Sequence, residues 1–134
     1  MTSYRIADTA QDYKRVHALI KSEGFPDCSL NFPVIMAMDE EGELVGCLGT
    51  GIQDDMIVAG PLVLKKDKKR SFTLIRLVEH YEATMRQCGI KSFIFYVELD
   101  NEKYLDYVKR VYGAEPYAEQ DGRAWFVADL TRKE

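Results

Sequence analysis

Apolar residues recur along the chain with two periods, and the switches between them mark out its elements. Tyr13, Val16, Leu19 and Ile20 step by three and four, the spacing of one helical face. Asp8 or Thr9 can cap that helix, because a short side-chain oxygen satisfies a free backbone N–H, and Gly24 stops the run. A stronger run spans Ser71 to Cys88: Leu74, Leu77, Val78, Tyr81, Met85 and Cys88 share a face, Arg76, Glu79, Glu82 and Arg86 lie elsewhere, and Gly89 ends it. A third helix starts at Asp100 or Asn101 and runs to about Tyr112, before Gly113.

Between the helices lie strand patterns. They are Ser3 to Ala7, Pro33 to Met38, Glu43 to Gly51, Met56 to Leu64, Lys91 to Leu99 and Ala124 to Leu130. DEEGE, around Gly42, reads as a hairpin turn, and Phe25 to Pro33, with two prolines, as loop or broken helix. MIVAGPLVL is apolar throughout, as a strand covered on both faces is. Its Gly60-Pro61 predicts a bulge or a parting from a neighbour, because proline donates no ladder hydrogen bond. The order β-α-β-β-β-α-β-α-β predicts an α/β (α+β) fold: one domain over residues 1–134, with a mixed, mostly antiparallel sheet and helices on both faces.

Composition alters this picture little. Over 134 residues, 46% hydrophobic and 30% charged describe an ordinary globular chain. The net charge of −4 argues against nucleic acid as a partner. No run approaches membrane-spanning length and no signal-peptide core opens the chain, so a cytoplasmic setting is expected. Cys28, Cys47 and Cys88 are widely spaced, and only His17 and His80 accompany them, which predicts reduced thiols and no metal site.

Charge does single out KKDKKRSFT, Lys65 to Thr73, whose first six residues include five bases. It enters a helix N-terminus, where unpaired N–H groups and the peptide dipoles attract anions. Cations placed there oppose the dipole, so an anion such as a phosphate would offset them; the plain alternative is a solvated turn with Ser71 as helix cap.

The ordered set of elements, with YRIADTAQDYKRVHAL, ELVGCLGTG, PLVLKKDKKRSFTLIRLVEHYE and VELDNEKYLDYVKRVYGAEPY, resembles the GNAT superfamily of acyl-CoA-dependent N-acyltransferases. The resemblance implies acetyl-CoA as acyl donor and a small-molecule or protein amine as acceptor. It implies that Leu62, Val63 and Leu64 orient the thioester through backbone amides. It implies that Lys68, Lys69, Arg70, Ser71 and Thr73 form the pyrophosphate loop and that Asn101, at the start of the last helix, also binds the cofactor. Both glycines of the family's loop are replaced here, by Ser71 and Thr73, and Thr73 carries a branched Cβ into the first turn.

A tyrosine in the last helix often protonates the leaving thiolate in that family. Counted from Asn101 the position falls at Val108, beside Tyr104, Tyr107 and Tyr112; Tyr107 is the candidate acid. Glu98, near the end of a largely apolar strand, is the candidate base, on the expectation of partial burial. His17 and His80 receive no role. The competing reading is a non-catalytic binding or assembly protein of the same fold. GAEPY…DGRAWFVADL also resembles GNAT-like proteins of phage genomes, which leaves virion assembly or a homo-oligomer open.

Overall fold

A computed structural model describes residues 2–66 and 70–131. The chain runs β1 (Ser3–Ile6), α1 (Ala10–Ser22), β2 (Asn31–Met38), β3 (Leu44–Gln53), β4 (Met56–Leu64), α2 (Arg70–Gln87), β5 (Ser92–Glu98), α3 (Glu102–Tyr112), β6 (Ala118–Gln120) and β7 (Arg123–Asp129). All described strands join one sheet in the order β1-β2-β3-β4-β5-β7-β6. β1 to β4 form an antiparallel meander, β4 pairs β5 in parallel, and β5 and β6 flank β7 antiparallel.

Strand alternation splits the core in two. Val34, Met36, Cys47 and Val63 pack with Val16, Leu19 and Ile20 of α1 on one face. Ile35, Ala37, Leu48, Phe93, Phe95 and Phe126 pack with Leu77, Tyr81 and Met85 of α2 and Val108 of α3 on the other. Thr9 caps α1 by accepting from the Asp12 N–H at 3.1 Å. Asp12 is itself buried and receives both guanidinium nitrogens of Arg5, at 2.8 and 2.6 Å. Asn101 caps α3, and Gly113 closes it with φ 60°. That left-handed conformation suits glycine.

Two expectations need correction. β6 is not among the strands expected from the sequence. α2 begins at Arg70, so Ser71 lies inside the first turn rather than at the cap. Among the described residues no helix is long and apolar enough to cross a membrane.

Candidate functional site

The site grows from the irregularity at Gly60-Pro61. Ala59 pairs Thr50 and Leu62 pairs Leu48, so Gly60 and Pro61 together oppose Gly49. This is the predicted bulge, one extra residue on β4. The same stretch ends the contact with β5, because the parallel pairing is made at Val58↔Ile94 and does not continue to Leu62–Leu64. The predicted bulge and the predicted parting therefore both occur.

Backbone parity decides which amides the parting frees. The Lys65 N–H donates to Val45 O at 2.9 Å, so Val63, two residues earlier, also turns its amide toward β3. Leu62 and Leu64 turn theirs toward β5, where the ladder has ended. Val63 is a correction to the sequence reading: its side chain is fully buried against the α1 layer and its amide faces β3.

A cavity of about 430 Å³ lies past the parting, between the start of α2 and α3. Leu64, Leu74, Asn101, Tyr104 and Tyr107 line it, and Lys103 and Arg110 bring positive charge. Lys103, Tyr107 and Arg110 are four and three residues apart and share a helical face. These two cations were missed in the sequence, although their spacing with Tyr107 was legible. A narrower slot of about 50 Å³ continues between Ala59 and Leu62 of β4 and Phe93 and Phe95 of β5. Tyr104 borders both spaces, whereas Tyr107 borders the cavity and Tyr112 the slot.

Burial sets the tyrosine chemistry. It pushes the Tyr104 hydroxyl up to about 12, with Tyr107 and Glu82 adding to the effect. Tyr107 is raised by the same cause, helped by Glu79 and Glu82 and opposed by Arg110. Tyr112 is raised furthest, by burial and then by its hydrogen bond to Glu82. All three are neutral hydroxyls near pH 7.

The remaining expected positions divide. Asn101 both caps α3, accepting from the Tyr104 N–H at 3.4 Å, and lines the cavity. Thr73 is buried, and its methyl packs toward the sheet beside Gly46. Its side chain is therefore a packing group and not part of an anion-binding surface. Lys68 and Lys69 lie outside the described residues, and Arg70 and Ser71 are described only as the first residues of α2. Glu98 overturns the expectation of partial burial: it is exposed, paired with Arg123 at 3.3 Å across the β5–β7 ladder, and lines neither space. The ladder explains it, since Arg123 is its direct cross-strand partner. His80 stacks on Tyr4 at 4.9 Å, a packing contact. Among the described residues no group of three or more His, Cys, Asp or Glu is arranged to hold a metal.

No protein-family model matches the chain, and no curated protein sequence matches it either. Solved structures do. A ribosomal-protein alanine N-acetyltransferase from Escherichia coli superposes with a TM-score of 0.75 at 13% identity, covering 100% of this chain and 97% of that one. An aminoglycoside 6'-acetyltransferase type Ii gives 0.74 at 18%, covering 98% and 99%. A diaminobutyrate acetyltransferase from Paenibacillus lautus, in complex with its substrate and coenzyme A, gives 0.69 at 17%, covering 100% and 98%. The chain thus has the fold of the GNAT N-acetyltransferases. These likenesses lend no support to the phage resemblance.

Proposed function

We propose that this GNAT-fold chain moves an acetyl group from acetyl-CoA to a primary amine by direct attack. One observation carries the reading: β4 and β5 part beyond Val58↔Ile94, and the opening joins a cationic cavity to a slot of acyl size. Lys103 and Arg110, with the basic segment before α2, meet the phosphates. Their attraction needs no glycine-lined backbone cradle, which suits a loop with Ser71 and Thr73 in the glycine positions. The slot holds about two water volumes at roughly 30 Å³ each, room for an acetyl group and little else. The amides of Leu62 and Leu64 point toward β5, where the thioester carbonyl would lie, and stabilise the oxyanion as it forms.

Proton accounting gives Tyr104 its role. The amine must first lose a proton to solvent, since no carboxylate lines the slot. Its lone pair attacks the carbonyl carbon, the C–S bond breaks, and the extra proton on nitrogen must reach sulfur. Tyr104 stands between cavity and slot, where the sulfur leaves. A thiol has a pKa of about 8.5, well below that of Tyr104, so complete proton donation from the phenol is uphill. Tyr104 instead gives the thiolate a hydrogen bond and relays the nitrogen's proton.

The test is thermal stability with acetyl-CoA. A ligand bound only by the folded chain at about 100 times its dissociation constant adds roughly 2.7 kcal/mol. The melting temperature should rise, less so at high salt. Replacing Lys103 and Arg110 together by alanine should weaken the rise. No rise at millimolar acetyl-CoA would sink the reading and leave a binding or assembly protein.

A further inference from the structure

The slot is apolar and aromatic, so it disfavours an ammonium ion against the neutral amine that must attack there. The departing proton needs a polar group to receive it, and the lining residues offer the hydroxyls of Tyr81, Tyr96, Tyr104 and Tyr112. Tyr81 leads nowhere. It bonds the Thr50 hydroxyl at 2.7 Å, and that hydroxyl donates to Pro33 O at 2.8 Å, a carbonyl that takes no proton. Tyr96 alternates along β5 with Phe95 and Val97, which point into the α2–α3 layer, so its ring lies on the opposite face, under the Arg123 guanidinium at 4.1 Å. Tyr104 serves the departing sulfur. Among the described residues, Tyr112 is the slot hydroxyl that leads to a carboxylate: it donates to Glu82 Oε2.

Glu82 serves the slot without lining it. Ile75, Val78 and Glu82 step by three and four along α2, on the face it turns toward α3. Ile75 lines the cavity, Val78 lines the slot, and Glu82 lies one turn farther on, half-buried. Its charge bears on Tyr104, Tyr107 and Tyr112 of α3. The other charged groups nearby have partners of their own. Glu79 pairs with Arg76 at 3.2 Å, Arg86 donates to Leu130 O at 3.3 Å, Lys109 pairs with Glu115 at 3.6 Å, and Arg110 lies over the Tyr107 ring at 5.9 Å. Among the described residues no lysine or arginine pairs with Glu82, so its carboxylate can accept a proton and, being half-exposed, pass it to water.

We propose that Tyr112 and Glu82 form the outlet for the acceptor's proton, Tyr112 touching the amine and Glu82 acting through it. The inference rests on the acyltransfer reading. A phenol oxygen accepts while its own hydrogen donates. The ammonium proton therefore passes to the Tyr112 oxygen as the Tyr112 proton passes to Glu82. One N–H bond and the old phenol O–H bond break, and new O–H bonds form on Tyr112 and on Glu82. Ammonium and carboxylate become amine and carboxylic acid, and Glu82 then releases the proton to water. Tyr112 is neutral before and after, in keeping with the burial and the Glu82 bond that oppose its ionisation. The reaction's two protons thus have separate handlers. Tyr112 removes the first before attack, and Tyr104 relays the second to sulfur after it.

Two variants test the outlet. Glu82→Gln keeps an oxygen that accepts from Tyr112 but cannot take the proton, and Tyr112→Phe removes the relaying oxygen at nearly constant volume. Wild type and variants are given acetyl-CoA and one of two probe nucleophiles near pH 7. Methylamine is an ammonium ion there, whereas methoxyamine is already neutral. The readout is coenzyme A thiol released above the protein-free rate. Each variant should lower the ratio of methylamine to methoxyamine turnover about a hundredfold, the scale of a lost proton-transfer group. The double variant should be no worse than either single one, because the two groups act in series. A purely structural role would slow both nucleophiles alike and leave the ratio in place. An unmoved ratio, losses that add in the double variant, or a wild type that turns over methoxyamine but not methylamine would each overturn the assignment. If the wild type turns over both probes, the transfer reading stands and only the outlet is at stake. If it turns over neither, the transfer reading fails and the outlet with it, and the acetyl-CoA melting shift then shows whether the coenzyme binds at all.

Discussion

Tyr104 and Tyr107 stack on each other, with ring centres 6.1 Å apart, and both line the cavity. Only Tyr104 reaches the slot, so the pair separates proximity from chemistry. Tyr104→Phe should lower kcat by about a hundredfold, the usual scale for a lost proton-handling group, with little change in KM for acetyl-CoA. Tyr107→Phe should change kcat several-fold at most. Because burial holds the Tyr104 hydroxyl near 12, the wild-type rate should show no alkaline limb near pH 10 from this group. Steady-state rates across pH for both variants check this. A larger loss from Tyr107→Phe would return the role to that residue and imply that α3 rotates when the coenzyme binds. Glu98 shows why burial does not follow from neighbours in sequence. Its neighbours in sequence are apolar, but its neighbour in space is Arg123, twenty-five residues away, and only the strand register reveals it.

At the scale of elements, the substituted loop is partly a packing device. An added Cβ on Gly46 of β3 would lie 2.9 Å from Leu64, 3.3 Å from Leu77 and 3.4 Å from the methyl of Thr73. Thr73 therefore fits at the start of α2 because the strand beneath has no side chain there. Thr73→Gly should not improve coenzyme binding. It should lower stability by about 1–2 kcal/mol, from helix-interior glycine and a lost buried methyl. Urea unfolding beside acetyl-CoA titration tests this, and tighter binding would show that the threonine obstructs the phosphates. Periodicity made the three helices and the long strands legible, because each buries one face and repeats it. It did not disclose β6, which has three residues, too few to show alternation. The signal was the turn after it: Asp121 and Gly122 both have positive φ, 57° and 74°, and a two-residue Asp-Gly turn marks a hairpin. The parting at Gly60-Pro61 was legible from proline's missing donor. That Leu62 and Leu64 face the opening and Val63 does not required the β3–β4 register.

The whole molecule carries an acid-sensitive pair near one end of its sheet and alkali-sensitive hydroxyls in its centre, so its stability should fall at both extremes of pH. The acid side belongs to Asp12. Its hydrogen bonds to the Arg5 guanidinium, then to the Asp8 amide, hold its carboxyl well below the ordinary 3.8. A depressed folded value contributes stability that is present above about 4 and is lost as pH falls through the lower folded value. The alkaline side belongs to Tyr81 and Tyr104, pushed up to about 12 by burial, and to Tyr112, raised further. A raised folded value works the other way. Above pH 10 the unfolded tyrosines ionise while the folded ones stay neutral, so stability falls as pH rises from about 10 toward 12. Tyr81 allows a clean test. The Thr50 hydroxyl donates to Pro33 O at 2.8 Å, which leaves its oxygen to accept from Tyr81 at 2.7 Å. Tyr81→Phe thus strands no donor and should cost about 1 kcal/mol at neutral pH. It should also make the alkaline fall shallower, because one of the groups causing it is gone, and leave the acid fall unchanged. Asp12→Asn should do the reverse. Urea midpoints across the pH range measure both limbs, and an alkaline slope identical in wild type and Tyr81→Phe would show that this hydroxyl does not contribute to it.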